Sequence, residues 1–146
     1  MGQSLLRLIQ RSAEFIHQDR VIDVRRRLRG MYVLYEHEPA RGRRGERYNV
    51  VYVGMARSGR GGGIRGRLMT HRRRKGSLWT HFSVFEVWDN IRDDEVKKLE
   101  GLFRHIYRHD GRASRLNLQR GFKLLRKVRK NSGPIEKWPL PTKTIR

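Results

Sequence analysis

The chain has 146 residues, 36% of them hydrophobic, which suffices for one modest core and argues against disorder throughout. Its 35 Lys and Arg stand against 14 Asp and Glu, and a net charge of +21 strongly favours a polyanionic partner: nucleic acid first, an acidic membrane surface as the blander alternative. With no cysteine, disulfides and thiolate metal sites are excluded and a cytoplasmic setting is permitted, while the absence of a long apolar run speaks against a membrane-embedded chain.

Residues 4–18 carry Leu5, Leu6, Leu8, Ile9, Ala13, Phe15 and Ile16 at roughly helical spacing behind Ser4 as N-cap, and predict an amphipathic helix. A second helical turn is expected over 21–28, where Arg25, Arg26, Arg27 and Arg29 form a basic cluster that is either a solvated face or a phosphate contact. Next come two short stretches rich in Tyr and Val, 30–35 and 48–54, which read as the strands of a hairpin. Its long loop is basic, with Arg41, Arg43 and Arg44, and its strands bring Tyr32 and Tyr52 onto neighbouring backbones. Sheet packing alone would explain two such tyrosines.

The following interval holds Arg57, Arg60 and Arg65 among glycines. Gly61, Gly63 and Gly66 satisfy GxGxxG, but the distance from the strand and the interleaved arginines do not suit a dinucleotide turn, and no Lys-Ser or Lys-Thr completes a Walker loop. A helix opening near Ile64 is expected, with Ile64 and Leu68 one turn apart on an apolar face and Arg67 and His71 one turn apart beside it. That helix ends in the run Arg72, Arg73, Arg74, Lys75. Alternation over 78–88 predicts a third strand, and 93–109 is the clearest helix, opened by Asp93, Asp94 and Glu95 and striped by Val96, Leu99, Leu102, Phe103, Ile106 and Tyr107. Glu100 lies in or beside that stripe, so it needs a counter-ion, of which Arg104 one turn on is one, or a metal. His105 and His109 share a face without the Glu of HExxH, which argues against a zinc protease. Beyond them 111–130 is basic with a short amphipathic pattern, and 133–146 is a proline-rich tail whose Trp138 is expected to pack on something.

In this order the residues resemble the GIY-YIG nuclease family: Gly30-Met31-Tyr32 is similar to its first motif, Tyr52-Val53-Gly54 to its second, Arg67 with His71 to its helix motif, Glu100 to its metal-binding glutamate and Asn117 to its closing asparagine. The interval between the tyrosines is longer than in compact members, and Met55 stands where some members carry lysine. The resemblance implies a small α/β fold, a mostly antiparallel three-stranded sheet flanked by helices, over 30–120, with a helical basic extension at 1–29 and a basic extension and tail at 121–146. It also implies metal-dependent phosphodiester hydrolysis, with DNA the foremost substrate and a homodimer possible. Tyr32, Tyr52, Arg67, His71 and Asn117 would be catalytic and Glu100 would hold Mg²⁺ or Mn²⁺. The nucleic-acid contacts would be Arg41, Arg43, Arg44, Arg57, Arg60, Arg65, Arg72, Arg73, Arg74 and Lys75. The alternative is a DNA- or RNA-binding protein on the same scaffold without catalysis.

Overall fold

The computed structural model describes residues 8–57, 62–108 and 134–138. Four strands, β1 (Ile9–His17), β2 (Gly30–Glu38), β3 (Arg47–Ala56) and β4 (His81–Val87), form one antiparallel sheet in the order β1-β4-β2-β3. Helix α1 (Gly63–Lys75) follows β3, and α2 (Asp93–Arg108) follows β4. The class is α/β as expected. Among the described residues no helix is long and apolar enough to cross a membrane.

β2 sits in the middle and is buried on both faces, which is why its sequence is a nearly continuous apolar run. Tyr32 and Leu34 point into a cluster with Ile64 and Leu68 of α1 and Phe82 and Val84 of β4. Met31, Val33 and Tyr35 point into a second cluster with Phe85, Val96, Leu99 and Phe103, where the Phe85 and Phe103 rings lie 4.9 Å apart. Each fully buried side chain of this size contributes about 1.5–3 kcal/mol through burial. The Val96, Leu99 and Phe103 stripe is buried as expected, and Leu102 is half-buried.

α1 starts where Gly62 and Gly63 adopt positive φ, and a side chain at Gly63 would bring its Cβ to 2.5 Å from the Leu28 carbonyl oxygen. That approach lets Ile64 N–H donate to the same carbonyl at 2.9 Å, fixing the entry of α1 to the turn before β2.

Two expectations are corrected. The sheet has four strands, not three, and the fourth is the segment read as an N-terminal helix. The cause is visible in the register: β1 spends one extra residue between Ile9 and Arg11 and another between Ala13 and Ile16 against evenly stepping partners in β4. Phe15, at φ 55, lies in the second irregularity. Bulges of this kind stretch a two-residue repeat toward three or four, so Ile9, Ala13 and Ile16 imitate a helical stripe; Leu5 and Leu6 lie outside the described residues. The turn expected at 21–28 is a 3-10 helix placed earlier, Gln18–Asp23.

The basic cluster before β2 is partly structural. Arg29 donates to the Ile91 carbonyl and to Asp93, and Arg25 donates to the carbonyls of Glu136 and Trp138. Ile135 and Trp138 are thereby held in the α1-side core. Trp138 does pack, with the Arg11 guanidinium 5.0 Å above its ring. Arg11 in turn pairs at 2.7 Å with Glu86, a buried carboxylate on β4.

Candidate active site

Tyr32 on β2 lies directly across from Gly54 on β3, and Tyr52 is two residues before Gly54 on the same face. The two phenol rings have centroids 6.0 Å apart. This closeness depends on Gly54: an added Cβ would sit 2.5 Å from both Cζ and Oη of Tyr32 and 2.7 Å from Cε1 of Tyr52. Over the same face α1 supplies His71, whose Nε2 is 2.9 Å from the Tyr32 hydroxyl. Its ring centroid lies 5.6 Å from that of Tyr32 and 4.8 Å from that of Tyr52. Three rings from three elements therefore meet at one point of the sheet.

They are electrostatically unlike. Tyr32 is 1% exposed, and burial first, then the neighbouring Tyr52, push its phenol well above the ordinary value; Arg67 opposes the shift, while a hydrogen bond with Tyr52 and the Glu100 charge add to it. Tyr32 is thus a fixed, protonated phenol. Tyr52 is 41% exposed and forms the solvent side of the cluster. His71 is held below the usual imidazole range by burial, then by Arg67 and Lys75, and is neutral at pH 7. Arg67, exposed one turn before His71, is near enough to act on both rings.

Glu100 is an inward carboxylate, 13% exposed, paired with Arg104 at 2.9 Å; the alternative counter-ion expected from the i,i+4 spacing is the one it has. The same Arg104 Nη2 lies 3.5 Å from the Val53 carbonyl oxygen. Among the described residues no cluster of three or more His, Cys, Asp or Glu side chains is disposed to hold a metal. One carboxylate with a carbonyl nearby does not suit zinc. It fits Mg²⁺ or Mn²⁺, hard cations that keep most of their waters and take the rest of their shell from a substrate phosphate.

Of the expected nucleic-acid contacts, Arg41, Arg43 and Arg44 form the exposed tip of the hairpin, closed by paired backbone hydrogen bonds between Arg41 and Arg44. Arg57 is exposed and Arg65 half-buried. Arg72, Arg73, Arg74 and Lys75 are exposed in the last turn of α1, with Arg72 3.7 Å from Asp19. Arg60 and Asn117 lie outside the described residues. Sequence reasoning named Gly54 only as part of a motif and missed its packing role; a glycine inside a strand, paired with a large ring, was the available signal.

The histidines also set an acid limit on stability. His81 is lowered, like His71, by burial before any neighbour acts. For both, the unfolded chain binds a proton near pH 6.5 and the folded chain only at lower pH, so stability is full above that value and falls as the pH drops through the window. Glu86, raised by burial, acts oppositely, losing its contribution as pH rises through its folded value. The melting temperature should therefore fall between pH 7.5 and 5.5, and His71→Gln should flatten part of that slope. An unchanged slope in the variant would remove His71 as a source.

Comparison with known proteins returns no match, whether to a family model, a curated protein or a solved structure.

Proposed function

We propose that the protein is a divalent-cation-dependent endonuclease that hydrolyses phosphodiester bonds in DNA. The observation carrying this reading is the meeting of Tyr32, Tyr52 and His71 within electrostatic reach of Arg67, with Glu100 acting on the same buried phenol. These five residues are those of the GIY-YIG resemblance, and plain sheet packing requires neither a neutral imidazole on a buried phenol nor an inward carboxylate whose charge reaches it.

In this mechanism Arg67 binds the scissile phosphate and offsets the charge that grows on it. Tyr32 stays protonated and orients the groups around it through its hydroxyl, since burial disfavours its phenolate. Tyr52, open to solvent, would first give its own phenolic proton to bulk water and then, as the phenolate, take the proton from the attacking water. His71 holds Tyr32 in place as a neutral ring. Glu100 would hold Mg²⁺ or Mn²⁺, which when bound supplies Lewis-acid polarisation of the phosphate. The exposed arginines of the hairpin tip and the end of α1 supply sequence-independent affinity for the backbone.

The test is cleavage of supercoiled, linear, single-stranded and forked DNA in Mg²⁺, Mn²⁺ and EDTA, for the parent chain and Glu100→Gln. The parent should cut only with a divalent cation, and the variant should lose cutting while its stability changes by no more than about 1 kcal/mol, because Arg104 is mostly exposed. Cutting in EDTA, or a variant that cuts at the parental rate, would overturn the assignment. DNA binding without any cutting would favour the non-catalytic reading.

A further inference from the structure

We infer that Arg104 is a built-in competitor for the cation position at Glu100, displaced when a divalent cation binds. This rests on the cation role proposed for Glu100. Arg104 Nη2 lies 2.9 Å from Glu100 Oε1 and 3.5 Å from the Val53 carbonyl oxygen, so one positive nitrogen faces two oxygens from different elements. A hard cation prefers that kind of donor. The guanidinium thus acts as the counter-charge of the unloaded chain.

The exposures make the exchange practicable. The Arg104 side chain is 55% exposed and can leave into water, whereas Glu100 is 13% exposed and stays where it is. Without a cation, Arg104 offsets the cost of an inward carboxylate; with one, it is surplus at a site that must also admit a phosphate. Because the pair is half open to solvent, Arg104 weakens cation binding without preventing it. Loading of the position is therefore shifted to a somewhat higher divalent concentration.

The experiment is a Mn²⁺ titration of the full chain without DNA, read by paramagnetic broadening of its NMR resonances, for the parent, Arg104→Ala, Arg104→Gln, Arg104→Lys and Glu100→Gln. Arg104→Ala and Arg104→Gln should each tighten Mn²⁺ binding roughly two- to fivefold, the equivalent of a half-exposed ion pair. Arg104→Lys, which keeps the charge, should stay near the parent. Unchanged or weaker binding in the neutral variants, with binding lost in Glu100→Gln, overturns the competition and leaves the cation role of Glu100 standing. If Glu100→Gln binds Mn²⁺ like the parent, the cation role fails, and the competition with it.

Discussion

Arg67→Ala is expected to slow DNA cleavage by about a hundredfold or more while leaving DNA affinity within a few fold of the parent. Arg67 is exposed, so its removal leaves no void in the core. What it removes is the positive charge that acts on both Tyr32 and His71. Affinity survives because Arg41, Arg43, Arg44, Arg57, Arg72, Arg73, Arg74 and Lys75 remain exposed to phosphates. Arg67→Lys should recover only part of the rate, since a point charge does not reproduce a bidentate contact. Cleavage rates and binding isotherms at one salt concentration separate the cases: parallel loss of both would make Arg67 one phosphate contact among many.

Gly54→Ala should be the most damaging one-carbon change in the candidate site. Its methyl would lie 2.5 Å from the end of the Tyr32 ring and 2.7 Å from the Tyr52 ring, and Tyr32, 1% exposed, cannot swing out into solvent without unpacking its neighbours. Overpacking of this kind costs about 1–3 kcal/mol, or a drop in melting temperature of roughly 3–10 °C for a chain of this size. Cleavage should fall further than the folded fraction does, because the strand shift that relieves the clash also moves both phenols. Gly101→Ala is the matching control. Nothing lies within 4 Å of a Cβ at that exposed position of α2, and replacing a helical glycine there should raise stability by about 0.5–1 kcal/mol. A Gly54→Ala chain that melts and cuts like the parent would show that the tyrosine cluster has slack and that its geometry does not set the rate.

Much of the architecture was legible because local signals agreed with one another. The β2–β3 hairpin announced itself through Tyr and Val flanking charged residues, α2 through an acidic first turn ahead of its stripe, and Arg104 through its spacing from Glu100. What was not legible depended on contacts distant in sequence. β1 was misread because its two irregularities are defined only against β4. A helix over these residues offers no partner for Glu86, since Arg11 reaches it only from a strand. Counting charges near Arg25 and Arg29 likewise could not reveal that both donate to carbonyls of distant segments. At the site, spacing within α1 paired Arg67 with His71. It could not show that His71 bonds the phenol on β2, a contact spanning 39 residues.

The anchoring of Trp138 sets how late in synthesis the α1-side core can be completed. Its carbonyl is held by Arg25 across 113 residues, and its ring shares a cluster with Leu28, Tyr32 and Leu68. During synthesis β2 and α1 leave the ribosome long before Trp138, their last neighbour among the described residues, and β1 waits about as long for β4, which bonds it across 68 residues. Contacts so distant in the chain slow folding, because a large loop must close before they form. A nascent chain that has released every residue of the tyrosine cluster still presents an unfinished apolar face, and the α1-side core is completed only after Trp138 has emerged.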